Sequence, residues 1–231
     1  MHNAYVNSVT EAGGLPLLIP HNPELAAQTL EALDGVLLTG GDDIDVRDFG
    51  QALHAKADLM PSLRQRSEFA LLRALDERPS LPVLGICLGM QLMGVHHGCP
   101  LIQHLHDVIA DGDRHVGNKV HAIHGAIGSG PVTSSHHQAL ASAGPFETLA
   151  LSDDGVLEAI RLPTRAFYMG VQWHPERTSD AHLGLGIIKK LILASQKSTI
   201  SNFNSNFYPN ATTATISIQE IPGEKYAAED P

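Results

Sequence analysis

The stretch Pro82-Val83-Leu84-Gly85-Ile86-Cys87-Leu88-Gly89-Met90-Gln91 constrains this chain more than any other. An apolar run from Val83 to Ile86 ends at a cysteine with Gly85 and Gly89 two residues to either side. The helix-compatible Met90-Gln91-Leu92-Met93-Gly94-Val95 follows at once. This reads as strand, sharp turn, helix, with Cys87 at the apex. The glycines permit the tight backbone and close strand–helix approach of a nucleophile elbow. At the first turn of a helix, the macrodipole and free N–H groups favour thiolate over thiol. A structural cysteine buried in a parallel strand would suit the same run. The paired glycines, and the partner residues further along, favour the elbow.

With 231 residues, the chain has length for one domain, expected over residues 1–197, and a polar tail over residues 198–231 that reads as linker or disorder. The net charge of −10 argues against a nucleic-acid partner or an anionic membrane surface. Cys87 and Cys99 are the only cysteines. A helix starting at Cys87 rises ~1.5 Å per residue, which separates them by more than about 10 Å, too far for a disulfide. A reducing cytoplasm fits. The N-terminus, Met1-His2-Asn3-Ala4-Tyr5, has neither the basic nor the apolar region of a signal peptide. The apolar run at 183–194 is interrupted by Lys189-Lys190 and is too short to span a bilayer.

Along the chain, residues 4–12 have helical character and stop at Gly13-Gly14, and Leu15-Pro16-Leu17-Leu18-Ile19 reads as a strand. Residues 23–33 read as a helix capped by Asn22, and Gly35-Val36-Leu37-Leu38-Thr39 as a buried parallel strand ending in Gly40-Gly41-Asp42-Asp43. A helix over 62–78 precedes the elbow strand. Strands alternating with helices predict an α/β sheet covered on both faces, with ligands gathering beyond the strands' carboxyl ends. Gly40-Gly41 and Cys87 share that rim. Residues 98–135 suggest only short strands and loops. Segments 148–151 and 156–162 form a hairpin about Asp153-Asp154-Gly155. A strand over 167–173 runs into His174-Pro175-Glu176, and a helix over 181–195 follows. Within the tail, residues 213–221 alternate as a strand would.

A thiolate nucleophile needs a base and a group that orients the base. His174, at a strand end on the same rim, is the candidate base. Glu176 can hold its far nitrogen, because side chains two apart in extended backbone point the same way. An acyl-transfer site also needs oxyanion donors. The N–H of Leu88, directly after the cysteine, and that of Gly41 on the neighbouring strand end are the candidates.

Thr39-Gly40-Gly41, Gly85-Ile86-Cys87-Leu88-Gly89-Met90-Gln91 and Gly170-Val171-Gln172-Trp173-His174-Pro175-Glu176 resemble the signature blocks of class I glutamine amidotransferase domains. Ala12-Gly13-Gly14-Leu15-Pro16, the run Gly40-Gly41-Asp42-Asp43-Ile44-Asp45, Ser135-His136-His137-Gln138-Ala139 and Asp154-Gly155-Val156-Leu157-Glu158-Ala159 are similar to the γ-glutamyl-γ-aminobutyrate hydrolase branch, peptidase family C26. The resemblance covers about residues 4–195. It implies a flavodoxin-like three-layer sandwich with a mostly parallel sheet, and a Cys87–His174–Glu176 triad that cleaves γ-glutamyl amide bonds through a thioester. Gly40, Gln91, Ser135, His136 and His137 would then line the glutamyl pocket. The family usually opens with a strand in mid-sheet that this chain lacks before residue 4, and residues 213–221 are a candidate for that slot. Leu88 stands where many hydrolases of the branch carry Arg, as in synthase-linked amidotransferases. Residues 114–134 look shortened, and Cys99-Pro100 replaces a more usual Gly-Thr.

The leading expectation is a stand-alone hydrolase acting on a small γ-glutamyl substrate, with a homodimer as a further candidate assembly. The alternative is a glutaminase subunit that delivers ammonia to a separate synthase. A relic without activity is a third reading. His96-His97, His104 and His106 lack a companion ligand set, so no metal is expected, and the chemistry requires no cofactor.

Overall fold

The structure, a computed structural model, describes residues 3–202 and 215–219. Helix α1 (Asn3–Glu11) leads into strand β1 (Leu15–Ile19). The segment expected as one helix over 23–33 is broken into two 3-10 turns around a short α2 (Ala26–Thr29). Leu30 is buried, and its carbonyl accepts from Arg78 Nη1 at 3.3 Å, which ties this segment to the end of the next helix. Then come β2 (Gly35–Leu38), α3 (Ser62–Asp76), β3 (Val83–Ile86) and α4 (Leu88–His96). The weakly patterned middle supplies β4 (Leu101–Ile102), β5 (Lys119–His124), β6 (Gly130–Ser134) and β7 (Ala139–Leu140). The expected hairpin is β8 (Glu147–Ser152) against β9 (Leu157–Arg161), antiparallel, followed by β10 (Tyr168–Val171) and α5 (Leu185–Asn202).

The main sheet has the order β1-β11-β2-β3-β10-β9-β8-β5-β6, and β4 and β7 form a separate ribbon. Strand β11 (Thr215–Gln219) comes from the region read as tail, and it runs parallel to both β1 and β2. The parallel part, β1-β11-β2-β3-β10, therefore has a flavodoxin-like order with a C-terminal segment in the slot usually held by an N-terminal strand. The physical reason is hydrogen bonding. Without β11, the facing backbones of β1 and β2 would have no ladder partner between them. Helix α5 also runs beyond residue 197, where the domain was expected to end. The expected strand span of 213–221 is described only over 215–219, and the rest of the tail beyond Asn202 lies outside the described residues.

Side chains alternate across this sheet as a three-layer sandwich requires. Val36, Leu38 and Val83 join the core under α3 and α4, with Leu71, Leu72, Leu75, Leu92 and Met93. Leu37, Leu84 and Ile86 join the opposite core under α1 and α5, with Val9, Ile187, Ile188 and Leu191. Gly85 and Gly89 let α4 lie directly on the strands. A Cβ on Gly85 would come within 2.6 Å of the Gly89 carbonyl carbon, and one on Gly89 would collide with the Leu38 carbonyl. Among the described residues, no helix is long and apolar enough to cross a membrane.

Candidate active site

Cys87 sits between β3 and α4 with φ 53° and ψ −106°, a left-handed backbone that L side chains rarely adopt. Its N–H donates to the Val171 carbonyl of β10 at 2.8 Å, and its carbonyl accepts from Gln91 at 3.2 Å. Strained backbone of this kind concentrates at functional positions and persists where its surroundings over-determine it.

His174 stands just past β10, as expected, with its backbone N–H on the Thr133 carbonyl at 2.8 Å. Its Nδ1 lies 2.7 Å from Glu176 Oε1, and the Glu176 side chain is fully buried. The route differs from the expected extended pair: Glu176 reaches back from the 3-10 turn Pro175–Arg177. Burial opposes a charge on His174. The attraction and hydrogen bond of the Cys87 sulfur, then those of Glu176, outweigh it and push the imidazole pKa up to about 9. Gly40 lies against both, since a Cβ there would meet His174 Cε1 at 3.1 Å and Cys87 Cβ at 3.6 Å. The structure therefore brings Cys87, His174, Glu176 and Gly40 together.

The strand-end loop is held by two residues that sequence reasoning missed. Tyr5 of α1, 1% exposed, accepts from the Gly40 N–H at 3.1 Å and lies 3.5 Å from His174 Nδ1. Arg64 of α3 is fully buried and donates from Nη2 to the Gly40 carbonyl at 3.0 Å, while its Nε donates to Glu68 at 3.2 Å. A Cβ on Gly41 would run into the Arg64 guanidinium, which would then have to shift. The Gly40 N–H is committed to Tyr5. The N–H of Leu88, first residue of α4, has no partner within its helix.

Gln91 is buried and not on a solvent face. Its Nε2 donates to the Gln138 carbonyl at 3.0 Å and to Gln172 Oε1 at 3.2 Å. Gln172, also unanticipated as a site residue, places its own Nε2 3.6 Å from Cys87 Sγ. The expected pocket segment divides. Ser135 is half-buried. The His136 ring turns inward, Nδ1 donating to the Gln138 carbonyl at 2.9 Å. His137 pairs with Asp43 at 3.0 Å, a hydrogen bond that raises its pKa against the effect of burial. Of the histidines considered together from sequence, His96 pairs with Asp76 at 2.7 Å and meets His97 edge-on, so that Asp76, His96 and His97 present ligand atoms close together, while His104 stacks on His54 and His106. Cys87 and Cys99 are both free, as their spacing implied.

A family model described as peptidase C26 matches residues 1–176. The chain belongs to the peptidase C26 family. A Mycobacterium tuberculosis relative, provisionally named as a glutamine amidotransferase, is 38% identical over 76% of this chain, and the match spans 62% of that protein's length. The γ-glutamyl-γ-aminobutyrate hydrolase PuuD of Escherichia coli is 29% identical over 79% of this chain and 80% of its own. Among solved structures, a Thermoplasma acidophilum protein provisionally described as part of a GMP synthase superposes with TM-score 0.61. It has 16% identity, covering 87% of this chain and 91% of that one. The glutaminase domain of Trypanosoma brucei CTPS superposes with TM-score 0.57 at 13% identity, over 92% of this chain and 91% of that one. At such identities these two matches show the fold alone, a flavodoxin-like α/β sandwich. Family membership and the relative named as a hydrolase support a hydrolase.

Proposed function

We propose that this protein hydrolyses γ-glutamyl amide bonds through a thioester on Cys87, in the cytoplasm, with γ-glutamyl-γ-aminobutyrate or a similar γ-glutamyl amine as substrate. The observation that carries this reading is the buried 2.7 Å pairing of His174 Nδ1 with Glu176 beside a cysteine held in a left-handed turn.

The thiolate of Cys87 attacks the γ-carbonyl carbon, and the carbonyl electron pair moves to oxygen. The N–H groups of Leu88 and Gly41 stabilise that oxyanion, an interaction typically worth about 3 kcal/mol per donor. Protonated His174 then gives its proton to the departing amine as the C–N bond breaks, leaving a thioester. Water enters, His174 takes its proton, and hydroxide addition followed by loss of the thiolate releases glutamate. Glu176 holds the imidazole in one tautomer. Gln172 and Gln91 support the sulfur's position, and Gly40, Ser135 and His137 belong to the wall around the glutamyl end, from which the inward-turned His136 ring is withdrawn.

The test is turnover of γ-glutamyl-γ-aminobutyrate and of glutamine by the purified chain, with mass spectrometry of acid-quenched enzyme. A glutamyl adduct on Cys87, absent from Cys87→Ala, together with release of the amine, is expected. Leu88 in place of the branch's more usual Arg favours a second reading, an ammonia-delivering glutaminase. Glutamine turnover that appears only on adding a partner synthase would select it. Ordinary turnover by Cys87→Ala would eliminate both.

A further inference from the structure

Away from the sulfur, the structure gathers a second set of reactive side chains. Glu158 of β9 is fully buried, and its Oε1 has His121 Nε2 at 3.0 Å, His115 Nδ1 at 3.4 Å and His136 Nε2 at 3.6 Å. These imidazoles come from the turn before β5, from β5 itself and from the segment after β6. Their side chains are at most 2% exposed. The ring centroids of His115 and His121 lie 4.5 Å apart, and those of His115 and His136 5.0 Å.

Hydrogen bonds outside the cluster fix which nitrogens face inward. His115 Nε2 lies 3.0 Å from the Asp154 carboxylate, so in the neutral ring Nε2 carries the hydrogen and Nδ1 the lone pair. His136 Nδ1 faces the Gln138 carbonyl, an acceptor only, which puts the His136 lone pair on Nε2. Both lone pairs are then aimed at a carboxylate oxygen, acceptor against acceptor. Among the described residues, His115 Nδ1, His121 Nδ1, His136 Nε2 and Glu158 Oε2 are buried with no hydrogen-bond partner. Protons could relieve the conflict only by charging buried imidazoles that lie against one another. One cation among them would satisfy the inward lone pairs together.

We propose that His115, His121 and Glu158, with His136 flanking them, form a buried site for one divalent transition-metal ion of the zinc class. The ligand atoms of these three side chains all lie within 4.8 Å of one another, and His121 Nε2 and His115 Nδ1 approach Glu158 Oε1 at 3.0 and 3.4 Å. Imidazole nitrogens beside a single carboxylate suit zinc, cobalt or nickel rather than calcium or magnesium. Asp154 behind His115 is an outer partner of the kind that orients a metal-bound imidazole. The ion would tie the turn before β5 and β5 itself to β9.

The inference stands apart from the proposed hydrolysis, and binding itself tests it. The full chain carrying Cys87→Ser, which removes the active-site sulfur as a competing zinc ligand, is stripped with a strong chelator. It is then titrated with zinc and with cobalt. One zinc per chain with submicromolar Kd, an intense tetrahedral-type cobalt spectrum and a Tm several degrees above the stripped protein are expected. His121→Ala should weaken zinc binding at least 100-fold, and Glu158→Gln should weaken it as well. Failure of the Cys87→Ser protein to bind zinc or cobalt would overturn the proposal. So would binding unchanged in His121→Ala.

Discussion

Tyr5 and His174, 169 residues apart in the chain, meet with the phenol oxygen 3.5 Å from the imidazole Nδ1. That same oxygen accepts the Gly40 N–H, so the first helix sets both the loop beside the sulfur and the ring opposite it.

Removing the hydroxyl tests this coupling. Tyr5→Phe leaves the buried Gly40 N–H without an acceptor, a cost of about 1–3 kcal/mol, or roughly 2–12 °C in Tm for a chain of this size. Beyond that loss, kcat should fall about tenfold with KM little changed, because the loop and the ring both lose a fixed neighbour. Steady-state kinetics and thermal unfolding measured together decide the matter. Unchanged kcat would show that Tyr5 serves the fold alone.

The raised pKa of His174 gives a titration with a defined sign. Its folded value of about 9 lies above the ordinary 6.5. The stabilisation is therefore complete below about pH 6.5 and is lost as pH rises through 9. Ring-proton NMR should find the imidazolium still present near pH 8. In Cys87→Ala, which loses the main attraction opposing burial, the same resonance should titrate at lower pH. An unshifted titration would separate ring from sulfur.

Gln172 is expected to act on the thiol without contributing a proton. Gln172→Leu removes the amide 3.6 Å from Cys87 Sγ and strips Gln91 of an acceptor. Alkylation of Cys87 by iodoacetamide should slow, and kcat should drop by about an order of magnitude. Gln172→Glu, which keeps the acceptor for Gln91 but sets a carboxylate beside the sulfur, should suppress alkylation further.

Arg64 and Glu68 form a buried pair beneath the glycine loop. Breaking such a pair from one side costs about 3–5 kcal/mol, so Arg64→Met should be markedly destabilised. Burial pushes the Glu68 pKa up to about 7 against the attraction of Arg64. That raised value favours the fold at low pH and loses its contribution as pH climbs through 7. The variant should therefore lose more stability between pH 5 and pH 8 than the parent does. Urea unfolding at the two pH values provides the comparison.

Much of this was legible because local pattern and tertiary role agree. The runs of β2 and β3 are apolar throughout since both faces are covered, and the glycines about Cys87 mark a close approach that any strand–helix elbow needs. Tyr5, Arg64 and Gln172 were not legible, for a shared reason. A tyrosine on an amphipathic helix, an Arg-Glu pair at helical spacing and a glutamine in a strand each look like ordinary surface chemistry. Only tertiary contact buries them. His115, His121, His136 and Glu158 come from separate elements of the antiparallel extension, and no spacing along the chain announces their meeting. The 23–33 segment misled through propensity, because its packing onto α3 divides what its sequence would otherwise wind continuously.

Strand β11 has a consequence for how the molecule comes into being. The ladder between β1 and β2 is supplied by residues 215–219, which a ribosome makes after every other strand of that sheet. Cys87, His174 and their supports can emerge early, yet the platform beneath them stays split until translation has passed those five residues. A nascent chain halted before that point would carry the chemistry without its keystone.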